Sequence, residues 1–308
     1  MTSASAPGKI ILFGEHAVVY GRPALAVPVT DVQANATVTE NRLGTIRIEA
    51  PGIGLNADLQ ALSPIHPLAA VTRAVLGALG IVHPPSFTMR IESTIPIASG
   101  LGSGAAVSVA AIRALALFLG YVMPDEKVST LAFELEKLHH GTPSGIDNTV
   151  ITYAKPVYFL KGCPVETFHP SVPFTIVIGD TGVPASTKES VWDVRELWQA
   201  DPVRFEKMFD VVGEIVRQAR VAIERGVIMD LGLLMDRNHS LLQEITVSSQ
   251  MLDRLVDAAR SAGALGAKLS GSGRGGNMIA LVKPKSARIV AEALVAAGAK
   301  RTITTHVG

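Results

Sequence analysis

Along the first part of the chain, apolar residues come in short runs and alternations broken by Gly, Pro and polar turns, the spacing of β-strands. A short buried strand is expected between the turn at Pro7-Gly8 and the break at Gly14. The β-branched segments 24–29, 32–39 and 45–49 read as antiparallel strands separated by turns. The period then changes. Residues 66–80 form an apolar helix ending at Gly80, 86–92 alternates as one more strand, and a helix of Ala, Val and Ile runs over 103–119 to Gly120. Another helix spans 125–140, opened by Pro124-Asp125, with Leu131, Leu135 and Leu138 on its apolar face. After Tyr158 and Phe159, a turn-rich passage through Gly162, Pro164, Pro170 and Pro173 marks a border between domains, placed at 1–165 and 166–308. Beyond it the pattern predicts a strand at 174–179 and helices at 188–199, 202–224, 228–244 and 249–262. Two strands around a glycine loop follow, then a helix at 285–297 and a last strand. Val211, Ile215 and Ala219, at fourfold spacing, mark the core face of the helix over 202–224. The class is α+β.

Length and composition narrow this picture. A chain of 308 residues can bury a large core and suits two moderate domains. With 28 basic and 27 acidic side chains the net charge is +1, which lacks the electrostatic footprint of a nucleic-acid binder, so any phosphate affinity must be local. The hydrophobic fraction is 48%, yet charges interrupt every apolar run well short of a membrane span. Met1–Ser5 contains neither a basic region nor an apolar core, so the cytoplasm is the expected location. Cys163 is the single cysteine, which excludes an intramolecular disulfide and a cysteine-rich metal site; in Lys161-Gly162-Cys163-Pro164 it reads as a turn residue.

The chain is organised around residues 96–108, Pro-Ile-Ala-Ser-Gly-Leu-Gly-Ser-Gly-Ala-Ala-Val-Ser, a loop of small residues that runs directly into a helix. Glycines let backbone amides point inward and the helix N-terminus adds a favourable field, so a phosphate group is the natural occupant. A glycine turn before a tightly packed helix is the competing interpretation. No Gly-Lys-Ser/Thr follows, so this is not a Walker A loop, and the strand and acidic partner of a dinucleotide fingerprint are missing.

Three other stretches carry polar groups beside turns. Lys9, Glu15 and His16 flank the first strand, where loops on a rigid support carry function and where solvated charges are also common. Residues 140–148, His-Gly-Thr-Pro-Ser-Gly-Ile-Asp-Asn, present a carboxylate amid glycines and small hydroxyls, either an Asx turn or a catalytic loop. In the helix before it, Glu134 and Glu136 lie about 200° apart at 100° per residue, so at most one faces a buried site. Lys268-Leu269-Ser270-Gly271-Ser272-Gly273-Arg274-Gly275-Gly276 forms a second glycine loop, which is a β-turn or a second substrate contact.

Together these stretches resemble the GHMP kinases, the family of galactokinase, homoserine, mevalonate and phosphomevalonate kinases. Pro-x-x-x-Gly-Leu-Gly-Ser-x-Ala resembles their ATP loop, Pro7-Gly8-Lys9-x-x-Leu-x-Gly-Glu-His their opening motif, and the stretch from Lys268 to Gly276 their third signature, Lys-Leu-x-Gly-x-Gly-Gly-Gly. The resemblance covers essentially the whole chain. It implies an N-terminal α/β domain with the ATP loop, a C-terminal ferredoxin-like domain, and a cleft between them. The Gly14-Glu15-His16 ending and the loop over 140–148 are similar to the branch that acts on mevalonate. The implied activity is therefore ATP-dependent phosphorylation of the primary hydroxyl of mevalonate to 5-phosphomevalonate, in the isoprenoid pathway. Phosphomevalonate or homoserine as acceptor, or a non-catalytic ligand sensor on the same fold, are the alternatives. Homoserine kinases generally lack the catalytic aspartate, and joint retention of Lys9, Glu136 and Asp147 argues against a sensor.

The resemblance also implies residue roles. Asp147 accepts the alcohol proton, supported by Lys9. Pro96, Ala98, Ser99, Gly100, Leu101, Gly102, Ser103, Gly104 and Ala105 bind ATP. His16, Glu15, Ser144, Thr187 and Gly271 face the substrate, Thr187 because Val183-Pro184-Ala185-Ser186-Thr187 aligns with a Val-Pro-x-x-Thr segment. Glu136, eleven residues before the aspartate, and Ser103 hold Mg²⁺. Two departures stand out: Gly104 where the family has a second, metal-binding serine, and Arg274 where it usually has glycine. ATP and mevalonate are the implied partners, with a homodimer common among relatives.

Overall fold

A computed structural model describes residues 1–97, 99–140 and 144–308, without the side chains of His139 and His140. The chain divides into two compact units. One comprises Met1–Gly8, Val32–Ile97 and Gly102–Ala154; the other comprises Lys9–Asp31, a short segment ending at Leu101, and Lys155–Gly308. Sequence periodicity places the border at 165/166, whereas Lys9–Asp31 lies with the C-terminal half. Long-range hydrogen bonds explain this: the Ser270 hydroxyl, for example, donates to the Ile11 carbonyl at 2.8 Å.

In the first unit, β3 (Arg47–Ala50), β4 (Leu55–Asp58) and β5 (Phe87–Ser93) join β2 (Ala24–Glu40) in the order β4-β3-β5-β2, and β1 (Thr2–Phe13) also pairs with β2. The strands expected at 24–29 and 32–39 are one continuous strand, because Thr30 and Asp31 are exposed but remain extended. Val32, Ala34, Ala36 and Val38 then alternate inward, and β5 answers in register, Ala36 opposite Ile91 and Val38 opposite Met89. Helices α1 (Pro67–Ala78), α2 (Ser103–Phe118), α3 (Asp125–His140) and α4 (Ile146–Tyr153) complete the unit. Among them α2 packs against α1, α3, α4 and β5. Its Ala105, Ala106, Val109, Ala110, Ile112, Ala114 and Leu115 are all buried, as expected of a helix apolar on most sides. Arg113 donates to Asp125 Oδ1 at 2.6 Å and to the Thr152 carbonyl at 2.7 Å, fixing α2 to the start of α3 and the end of α4.

In the second unit, β6 (Val157–Phe159) pairs with the start of β2, Leu25 opposite Tyr158, and with β7 (Glu166–Thr167). A separate antiparallel sheet has the order β11-β8-β10-β9, from β8 (Phe174–Asp180), β9 (Gly266–Ser270), β10 (Asn277–Val282) and β11 (Arg301–Val307). Helices α5 (Thr187–Ala200), α6 (Pro202–Arg225), α7 (Ile228–Glu244) and α8 (Gln250–Ser261) lie between β8 and β9 in sequence, and α9 (Ala287–Ala296) between β10 and β11. The helix–strand succession is the βαββαβ pattern of ferredoxin-like domains. The central strands β8 and β10 are buried along their whole length, which is why they read as unbroken apolar runs. Leu252, Leu255, Val256, Val290 and Leu294 of α8 and α9 pack with Val177, Met278 and Ala280 in one core. On α6 the stripe is shifted from the expected one: Val212, Ile215, Val216 and Ala219 are buried and Val211 is half-exposed. Ser186, Asp201 and Ser249 cap α5, α6 and α8, accepting from the amides of Glu189, Arg204 and Leu252. Cys163 is exposed.

Candidate active site

The opening motif leaves β1 through Gly14. At φ +97°, with an added Cβ only 2.5 Å from the Pro23 carbonyl oxygen, only glycine fits there. Two residues later His16 adopts φ +60°, a left-handed conformation that few side chains take without a compensating contact. That contact is visible: the ring, 5% exposed, donates from Nε2 to the Ser272 carbonyl at 3.0 Å. Glu15 is 1% exposed, and its carboxylate takes the ammonium of the fully buried Lys268 and the Gly271 amide. Lys268 also donates to the Leu269 carbonyl at 2.6 Å. Burial pushes the Glu15 carboxyl up and the Lys268 ammonium down, each opposed by the attraction of its partner. Glu15 thus fastens the opening motif to the glycine loop of the third signature (the third glycine loop).

The ATP loop is held by the same unit. The Lys9 amide donates to the Leu101 carbonyl at 3.0 Å, and the Asn277 side-chain amide donates to the Ser99 carbonyl. The Lys9 side chain itself is buried. Gly100 and Gly102 have positive φ, and Gly102 is the N-cap of α2 with no side-chain cap. The first amides of α2, from Ser103 onward, therefore have no capping side chain and meet the requirement for binding an anion. Ser103 is the first helical residue rather than the cap, so its hydroxyl is not needed to close the helix end. Gly104 is exposed, with nothing within 4 Å of an added Cβ, so a serine fits there. Pro96 is buried beside the loop, Ala105 is buried in α2, and Ala98 lies outside the described residues.

Glu134 is exposed and pairs with Lys137 at 2.6 Å, while Glu136 is half-buried, which favours Glu136 as the inward carboxylate of α3. Within residues 140–148, an Asx turn or a catalytic loop by sequence, a helix begins at Ile146. Gly145 at φ +92° is the N-cap of α4, and Asp147 stands in its first turn, where the helix dipole favours a carboxylate. Asn148 anchors that turn by donating to the Ser129 carbonyl at 3.2 Å and to Ser129 Oγ at 2.8 Å. Ser144 is half-buried and accepts from the Ile146 amide at 3.4 Å; Gly141, Thr142 and Pro143 lie outside the described residues. Thr187 opens α5 and is exposed. Among the described residues no three His, Cys, Asp or Glu side chains are grouped to hold a metal ion, and no helix is long and apolar enough to cross a membrane.

Sequence reasoning missed several supporting residues. Lys268 is a lone charge in an apolar strand, and its partner Glu15 is far away in sequence, so only the charge's isolation hinted at burial. Asn148 and Asn277 looked like turn and strand-end polar groups. His239 of α7 gave no signal. It is buried, accepts the Leu269 amide at Nδ1 over 3.3 Å, and turns Nε2 toward Asp253 Oδ1 at 3.2 Å, so it stiffens the strand that carries Lys268.

His16 and His239 are both lowered to about 4, chiefly by burial. Above the unfolded value of about 6.5 both states are neutral and pH has no effect through these groups. Between 6.5 and 4 the unfolded chain binds protons that the folded chain refuses, so stability falls as pH falls. The loss at pH 5 is about 2 kcal/mol per histidine. Denaturant titrations at pH 7 and pH 5 are expected to show this loss, and His239→Gln to remove about half of it. An unchanged pH slope in that variant would contradict the assignment.

The chain is similar to several known proteins over most of its length. The sequence profile of the GHMP kinases N terminal domain matches residues 67–155, and that of the GHMP kinases C terminal region matches 219–300. The mevalonate kinase of Thermococcus sibiricus is 38% identical, over 96% of this chain and 93% of its own. That of Pyrococcus abyssi is 38% identical over 98% and 94%. Among solved structures, L. major mevalonate kinase in complex with R-mevalonate superposes with a TM-score of 0.87 at 31% identity, covering 100% of this chain and 96% of that one. Streptococcus pneumoniae phosphomevalonate kinase, at 18% identity and a TM-score of 0.81 over 99% and 100%, shares the fold.

Proposed function

The chain belongs to the GHMP kinase family, and on that premise we propose that it transfers the terminal phosphoryl group of ATP to the primary hydroxyl of mevalonate, giving 5-phosphomevalonate and ADP. The observation that carries this is the interlocking of the opening motif, the ATP loop and the third glycine loop. They are joined by Lys9 to Leu101, Asn277 to Ser99, Glu15 to Lys268 and His16 to Ser272. Such a framework holds backbone amides in place for phosphates, and phosphoryl transfer demands mainly positioning and charge stabilisation.

In the proposed reaction Asp147 takes the proton of the primary hydroxyl as its oxygen bonds to the γ-phosphorus and the bond to the bridging oxygen of ADP breaks. Lys9 offsets negative charge on the transferred group. The amides at the start of α2 and of residues 100–102 receive the phosphates of ATP, and His16, Ser144, Thr187 and the third loop at Gly271 serve the acceptor side. Glu15, closed in with Lys268, supports His16 from behind.

ATP use implies a divalent metal, for which Mg²⁺ is proposed. The donors fit an ion of that kind: a half-buried carboxylate at Glu136 and a hydroxyl at Ser103, both hard oxygen ligands. Bound there, it would neutralise charge on the β- and γ-phosphates. Glu136→Gln is expected to raise the Mg²⁺ requirement about tenfold or more, whereas Gly104→Ser changes it little. Ser103→Ala should leave the melting temperature near that of the parent, since Gly102 is the cap, and a metal titration resembling that of Glu136→Gln would make the hydroxyl a ligand. Glu136→Gln titrating like the unmodified enzyme would remove Glu136 from the site.

Acceptor identity is tested by ATP turnover with mevalonate, phosphomevalonate, homoserine and galactose in parallel. Mevalonate is expected to be preferred. Turnover of homoserine or galactose with none of mevalonate would overturn the substrate while leaving the family in place.

A further inference from the structure

Arg274 is the one large side chain in the third glycine loop, and its backbone is left-handed at φ +60°. Its neighbours show how little room that loop has. A Cβ on Gly273 would fall 1.9 Å from the Val247 carbonyl oxygen and one on Gly275 would fall 2.6 Å from that of Val183. Backbone bonds hold the loop on both sides, Arg274 N–H to Val247 O at 2.8 Å and Gly276 N–H to Val183 O at 2.9 Å. Glycine would adopt φ +60° without strain, so arginine carries a backbone cost at this position.

The guanidinium reaches out of the loop to the carboxylate of Asp193 on α5, and both side chains are part-exposed. Helix α5 is anchored further along, where Val194 is buried and Trp198 packs against Tyr20 at 5.4 Å and donates to Glu206 at 2.9 Å. Its other end carries Thr187, three residues after Pro184 and four after Val183, whose carbonyl the loop grips. The same guanidinium lies close enough to His16 for its charge to be felt at the ring.

We propose that Arg274 is a positioning residue of the acceptor site: through Asp193 it straps the amino-terminal half of α5, and with it Thr187, to the glycine loop that holds His16. This assignment rests on His16 and Thr187 serving the acceptor, as proposed above. The strap acts on acceptor binding and leaves the ATP loop alone. An exposed ion pair contributes modestly, so the expected change is about fivefold.

The test is steady-state kinetics of Arg274→Gly, Asp193→Asn and the charge-swapped double variant Arg274→Asp/Asp193→Arg, each beside a thermal melt. Arg274→Gly is not at risk of misfolding, because glycine is at ease at this φ, and aspartate tolerates it better than most residues. Both single variants are expected to raise KM for mevalonate about fivefold, with kcat and KM for ATP nearly unchanged. The swap should bring KM for mevalonate back toward the parent value. Unchanged KM in the single variants would overturn the strap, as would a rise in Arg274→Gly alone with no effect of Asp193→Asn and no rescue, which would make Arg274 a direct ligand of the acceptor. A parent enzyme that turns over another alcohol but not mevalonate fails the substrate assignment instead, and the same three variants read with that alcohol decide the strap.

Discussion

Asp147→Asn is expected to lower kcat with mevalonate by about two or more powers of ten, the scale of a lost general base. The neutral amide keeps the shape of the side chain but cannot take the hydroxyl proton. The fold should survive, because the turn that carries Asp147 is anchored by its neighbours: Asn148 holds Ser129 and the Thr149 hydroxyl donates to the Gly145 carbonyl at 2.7 Å. Loss of the carboxylate from the first turn of α4 removes a favourable interaction with the helix dipole of about 0.3–1 kcal/mol. ATP binding, measured by titration without acceptor, should be nearly that of the parent. A variant with parental turnover, or one that fails only because it no longer binds ATP, would remove Asp147 from the proton-accepting role.

Lys268→Met is expected to have the largest effect on stability. It leaves the Glu15 carboxylate, 1% exposed, without its cation, and uncompensating a buried pair in this way costs about 3–5 kcal/mol. The double variant Glu15→Gln/Lys268→Met keeps the volume but removes both charges, so most of the lost stability should return. Activity should not return with it. Glu15 and Lys268 together fix the loop at Gly271 and the turn that presents His16, and a neutral pair loosens that geometry. Denaturant unfolding of the parent, the single and the double variant decides the first point, and kcat of the double variant decides the second. Parental stability in Lys268→Met would show that the pair contributes nothing to the fold.

Local signals in the sequence were enough for much of this architecture. Helix α2 was legible because Gly100 and Gly102 precede a long run of small apolar residues, and β8 and β10 because buried central strands are apolar throughout. Strand β2 was split in the sequence pattern because two consecutive polar residues look like a turn, although the backbone runs extended through them. Helix α4 was hidden for the opposite reason: Asp147, Asn148 and Thr149 favour turns by propensity, and the anchor from Asn148 to Ser129 overrides them. The polar groups that stiffen the site were the least legible. Lys268 with Glu15, Asn277 with Ser99, and His239 with Leu269 each join residues distant in sequence, and no local periodicity encodes such a pairing. Arg274 was visible as a departure from the glycine pattern, but its partner Asp193 was not.

The position of the new phosphate ester tests the account most directly. The enzyme incubated with ATP, Mg²⁺ and mevalonate should give one ADP for each monophosphate formed, with phosphorus-31 and carbon-13 resonance placing the phosphate on the primary C5 oxygen. ADP released without a phosphorylated alcohol, or a phosphate on the tertiary hydroxyl or the carboxylate, would contradict it.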